Sequence, residues 1–177
     1  MTTEPAPGEE PYAVVLLVEQ ALTGADAAQV RALHIELDDD PTIEVVYHVL
    51  LPMADAAAAV EASLGVIGGA DLITPPMTPT PDEIDRLREE YREQAERDLA
   101  ATRSALAAAG AKVGEAVIVT ESPVDALIEK VKATDGREAI ILTRSHLVAE
   151  FFHVDWTSKA RRKLGVPVLH LLEHDED

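Results

Sequence analysis

The sequence predicts an α/β fold: an open, Rossmann-like five-stranded parallel sheet with helices on both faces. Three observations predict it. Five short apolar, β-branched-rich runs recur along the chain, helical patterns separate them, and the runs are apolar at successive positions, as strands buried on both faces require. A length of 177 residues fits one core of this kind and is too short for an eight-fold β/α barrel of about 250 residues.

Each element follows from local chemistry. Residues 1–11 hold three prolines and three glutamates with no periodicity and read as a flexible tail. Ala13 to Val18 form the first strand, which ends at Glu19-Gln20. Thr23 can cap a helix with Asp26 in its first turn, and Ala27, Val30, Leu33 and Leu37 follow at helical spacing until Asp38-Asp39-Asp40-Pro41. Ile43 to Leu51 is the second strand, closed by Pro52.

An insertion over residues 53–80 comes next. Ala54 to Leu64 is alanine-rich and helical in pattern, but Gly65, Gly68, Gly69 and the proline run Pro75 to Pro81 break regular structure. Thr80-Pro81-Asp82-Glu83 is the clearest local signal in the chain: a capping threonine, proline at the first helical position and glutamate placed to complete the capping box. A long helix should carry the stripe Ile84, Leu87, Tyr91, Ala95, Leu99, Thr102, Leu106 and Ala109 and stop at Gly110. Ala116 to Val119 is the third strand; Ser122-Pro123 starts a helix that buries Leu127, Ile128 and Val131; Ala139 to Leu142 is the fourth strand. Residues 155–164 read as a short helix capped by Asp155 or Thr157, and Pro167 to Leu172 as a fifth strand before an acidic tail over 173–177.

Composition narrows the function. The chain has 33 acidic and 15 basic residues, a formal charge of −18, which opposes nucleic acid and anionic membranes because phosphate neutralisation needs clustered Lys and Arg. No cysteine is present, so disulfides, thiolate zinc sites and cysteine nucleophiles are excluded. No apolar run reaches the roughly 18 residues of a membrane span, and the acidic first ten residues do not resemble a signal peptide, so a cytoplasmic location is expected. The charge is uneven. Residues 1–110 carry 21 acids against 6 bases, residues 111–177 carry 12 against 9, and five of those nine bases lie between Arg144 and Lys163.

The ordered series Val117-Ile118-Val119, Ser122-Pro123-Val124-Asp125-Ala126-Leu127, Ala139-Ile140-Ile141-Leu142 and Gly165-Val166-Pro167-Val168-Leu169-His170-Leu171-Leu172 resembles the universal stress protein family. In the first half, Val14 to Val18 with Glu19 resembles the family's opening strand with its Asp, and Tyr47-His48-Val49 its second strand. The resemblance spans about Tyr12 to Leu172. It implies the strand order 3-2-1-4-5, a ligand crevice at the carboxyl ends of strands 1 and 4, and dimerisation through the C-terminal strand.

The family's ATP-binding branch carries Gly-x-x-Gly, nine residues, then Gly-Ser or Gly-Thr. Setting the first glycine at Thr143 places the second at His146 and the final pair at Trp156-Thr157, so all three glycines are missing. A β-carbon at each position obstructs backbone approach to phosphate, and Trp156 is large enough to fill the pocket. ATP is therefore not expected as a cofactor.

The candidate ligand crevice comprises Glu19, Thr143, Arg144, Ser145, His146, Trp156, Thr157 and Ser158. Glu19 either meets a polar ligand or plays a capping or solvated role. Arg144 with the start of the last helix either forms a site for a small anion or pairs with an acid such as Glu150 inside a filled crevice. No catalytic residue is assigned: Ser122 and Ser145 lack a nucleophile-elbow context. No metal site is assigned, because His170 and His174 lie on a strand and tail where four-residue spacing does not converge. Lys159, Arg161, Arg162 and Lys163 either neutralise the acidic tail or meet an acidic partner. The sequence thus points to a non-catalytic regulatory or ligand-sensing protein; a nucleotide binder or enzyme with an altered crevice, and an interaction module working through residues 53–80, are the alternatives.

Overall fold

A computed structural model describes residues 10–53, 80–143 and 162–172. The elements are β1 (Tyr12–Val18), α1 (Gly24–Ala32), α2 (Ile35–Asp38), β2 (Val45–Pro52), α3 (Pro81–Ala108), β3 (Lys112–Val119), α4 (Pro123–Ala133), β4 (Glu138–Thr143) and β5 (Val168–Leu172). The strands form one parallel sheet in the order β3-β2-β1-β4-β5, as the sequence predicts. Among the described residues no helix is long and apolar enough to cross a membrane.

The central strand explains the continuous apolar runs. Every residue of β1 from Ala13 to Val18 is buried, because helices cover both of its faces. Val14, Leu16 and Val18 join Tyr47, Val49, Ile140 and Leu142 beneath α1 and α3, whose Ala27, Val30, Ala95 and Leu106 complete that layer. Val15 and Leu17 face the other way, toward Leu127, Ile128 and Val131 of α4 and Leu164. Alternation along the strand therefore feeds a core on each face of the sheet.

The capping box expected at Thr80 forms, and the expected cap at Thr23 proves to be a capping box too. Thr23 and Asp26 exchange side-chain and backbone bonds at the start of α1, and Thr80 and Glu83 do so at α3, with Pro81 in the first turn. Ser122 accepts from the Asp125 N–H at the start of α4. Gly110 closes α3 at φ 82°, a left-handed conformation that glycine adopts without steric cost.

Several details differ from the sequence reading. The first helix ends at Ala32, and Leu33, expected on the buried stripe, is 46% exposed; the chain turns there so that His34 points inward, and α2 restarts at Ile35. The long α3 stripe is only partly covered: Ala95, Thr102 and Leu106 are buried, whereas Ile84, Leu87 and Tyr91 are half-buried. β2 begins at Val45 and includes Pro52. β3 begins at Lys112, four residues before the expected start, because Gly114 and Glu115 break the apolar pattern while remaining in the strand. Residues 162–164 are helical, in keeping with a last helix ending at Leu164; its start, the expected helix over 54–64 and the tails over 1–9 and 173–177 lie outside the described residues.

Candidate functional site

The strand order reverses direction between β1 and β4, and open α/β sheets bind ligands at the carboxyl ends of strands at such a point. β1 and β4 are paired from Val14–Glu138 to Val18–Leu142, so their carboxyl ends are level. Just beyond, the Glu19 N–H donates to the Leu142 carbonyl at 3.3 Å. Glu19 and Thr143, 124 positions apart, thus flank one point at the sheet's edge. The loop after β1 is tied from above as well: the Leu22 N–H donates to Thr102 Oγ1 of α3 at 3.1 Å, a fully buried bond.

Thr143 does not face open solvent. It is 3% exposed, pairs in register with Leu172 of β5, and its hydroxyl lies 2.8 Å from His170 Nε2. Burial holds the His170 imidazole below its ordinary pKa, so it is neutral near pH 7 and can share one hydrogen bond with the threonine hydroxyl. The side chain at the first position of the loop is therefore turned sideways toward β5 and hydrogen-bonded there. Arg144, Ser145, His146, Trp156, Thr157 and Ser158 lie outside the described residues. Among the described residues no group of three or more His, Asp and Glu side chains could hold a metal ion.

A second polar cluster, at the opposite, amino-terminal end of the sheet, has no signature in the sequence. His34, 3% exposed, places Nε2 2.5 Å from Glu138 Oε1 of β4 and Nδ1 2.9 Å from the Tyr47 hydroxyl of β2. Glu138 and Tyr47 thus bracket the imidazole, and Nδ1 also lies 3.3 Å from the Val30 carbonyl of α1. Tyr12 of β1 donates to the other Glu138 oxygen at 3.4 Å. Burial pushes the Tyr47 phenol up to about 12, and burial together with the Glu138 charge raises Tyr12. Nearby, Arg31 pairs with Asp38 and its Nε donates to the Gly110 carbonyl at 3.3 Å, fastening α1 to the end of α3. The members come from four separate segments, so only the folded sheet assembles them. Tyr47, His34, Glu138 and Tyr12 form one hydrogen-bonded chain, which ties three strands to the turn after α1.

No protein-family model and no curated protein matches the chain. Solved structures do resemble it. A universal stress protein family protein from Arabidopsis thaliana with AMP bound superposes with a TM-score of 0.51 at 12% identity, covering 92% of this chain and 92% of that one. The universal stress protein from Archaeoglobus fulgidus gives 0.50 at 13%, covering 90% and 93%, and a universal stress protein in complex with cAMP gives 0.50 at 13%, covering 92% and 99%. The chain has the fold of these universal stress protein structures over nearly its whole length.

Proposed function

We propose that this chain is a universal-stress-protein-like regulatory or ligand-sensing protein, non-catalytic, that does not bind ATP in the manner of the glycine-bearing branch. The observation that carries this reading is Thr143. Where the glycine loop would begin, the chain has a side chain that is buried and hydrogen-bonded to His170 at 2.8 Å. A β-carbon there and at His146 and Trp156 removes the bare backbone N–H surface that phosphates approach. Calorimetry with Mg-ATP tests it: no heat of binding is expected, and micromolar affinity overturns the reading.

A homodimer through β5 and a cytoplasmic setting belong to the same reading. β5 is an outer strand of the sheet with Leu169 and Leu172 41% and 49% exposed, and an uncovered apolar edge favours pairing with a second copy. A monomer mass by light scattering at every concentration would overturn that part.

A second reading keeps the crevice in use, as a site for a nucleotide or other phosphate ligand, or for an enzyme, built from Glu19, Arg144 and Thr157. Two observations favour it: Glu19 remains beside the end of β4, and structures of the same fold contain AMP and cAMP. Mass spectrometry of small molecules released from freshly purified protein separates the readings, since a co-purified nucleotide supports only the second.

A further inference from the structure

The β2–β3 ladder is interrupted in one place. Tyr47 pairs with Val113 and Val49 with Ala116, so Gly114 and Glu115 of β3 together face the single residue His48 of β2. Two residues against one is a β-bulge, and a bulge leaves a backbone group without its ladder partner. Here the Glu115 N–H donates to His48 Nδ1 at 3.2 Å, so an imidazole takes the place of the missing carbonyl.

The surroundings are shaped around that ring. A β-carbon at Gly114 would lie 2.7 Å from His48 Cε1 and 2.9 Å from Nδ1, closer than carbon atoms can pack. The Glu115 side chain pairs with Lys130 of α4, which joins the bulge to the helix beneath it. Lys130 in turn lines a groove of about 340 Å³ together with Leu50, Val117, Val119 and Ala126.

We propose that His48 is a proton-sensitive latch on the outer strand β3. The bond from Glu115 requires Nδ1 to be an acceptor; protonation turns it into a second donor facing a donor, and the bulge loses its fastening. The charged groups facing the ring are Glu115 of β3, which favours the imidazolium, and Lys130 of α4, which opposes it. From β1 the register partner of His48 is Val15, which does not titrate. Burial dominates and holds the imidazole below its ordinary pKa, while the Lys130 bond holds the Glu115 carboxyl below the usual carboxylate range, so it stays ionised throughout the window. The sign follows: the folded latch prefers neutral histidine, so it is closed above about pH 6.5 and weakens as the pH falls below that value.

Amide hydrogen exchange by NMR from about pH 7.5 to 5 tests it, read as the protection factor of Glu115 so that the intrinsic pH dependence of exchange cancels. Protection at Glu115 should fall about tenfold, the equivalent of one hydrogen bond, in step with the titration of the His48 Nδ1 resonance. His48→Asn keeps an acceptor but cannot titrate, and its Glu115 protection should not vary with pH. A pH-independent Glu115 amide in the wild-type protein, or the same pH dependence in His48→Asn, overturns the proposal. If His48→Asn does not fold, the wild-type comparison decides alone: Glu115 protection must track the Nδ1 titration, and loss at any other pH counts against the latch.

Discussion

Gly114→Ala isolates the packing at the bulge. The new methyl carbon would meet His48 Cε1 at 2.7 Å, Nδ1 at 2.9 Å and Val46 Cγ1 at 2.9 Å, against an optimum of about 3.5–4.0 Å. Neither neighbour yields cheaply. Val46 is 7% exposed between strands, and the His48 ring is held by the Glu115 N–H. Overpacking of this kind costs about 1–3 kcal/mol. The backbone at Gly114 is not left-handed, so alanine is unstrained there and recovers about 0.4–1 kcal/mol through the unfolded chain. The net expectation is a loss of about 1–2 kcal/mol. Urea unfolding followed by far-ultraviolet circular dichroism near pH 7.5 measures it. In a His48→Ala background the same substitution should cost less, because only the 2.9 Å approach to Val46 Cγ1 remains, and the double-mutant cycle reports the difference. An equally or more stable Gly114→Ala protein, or a cost unchanged without the imidazole, would refute the claim that the ring excludes a side chain at this position.

Other perturbations address other parts of the molecule. Thr102→Val removes the α3 oxygen that accepts from the buried Leu22 N–H, and the orphaned donor should cost about 1–3 kcal/mol in chemical unfolding; no change would mean that the loop after β1 finds another acceptor. Tyr47 should be the phenol that resists ionisation to about pH 12 in an ultraviolet titration. Its folded pKa is raised, so its contribution to stability is intact below about pH 10 and lost as the pH rises through the folded value; Tyr47→Phe should abolish that alkaline dependence. Thr80→Ala should cost about 1 kcal/mol as the α3 capping box opens, whereas Thr80→Ser should be nearly neutral, both read from thermal unfolding.

The parts legible in the sequence are those whose causes are local. Thr23 with Asp26 and Thr80-Pro81 with Glu83 cap helices through contacts three residues apart, so short motifs reveal them. The strands β1, β2 and β4 stand out because burial on both faces demands unbroken apolar runs, and β5 stands out as an apolar run although Leu169 and Leu172 are exposed. The start of β3 was hidden because Gly114 and Glu115 mimic a turn, and only the facing His48 shows that they form a bulge inside a strand. Leu33 fits the helical period but is exposed, since the turn at His34 ends that period early. At the candidate crevice the sequence points to Thr143 by register with a glycine loop, and gives no hint of its bond to His170, 27 residues away on another strand.

By itself the sequence determined the fold class, the strand order through family resemblance, the helix starts and the missing loop glycines, because period, capping chemistry and side-chain size are properties of neighbours in the chain. Tertiary structure alone decided what polar side chains do once buried. His34 joins Glu138 and Tyr47, His170 holds Thr143, and His48 fills the gap at Gly114 and Glu115. A buried donor or acceptor must find a partner, and that partner is set by which strands lie side by side, not by distance along the chain.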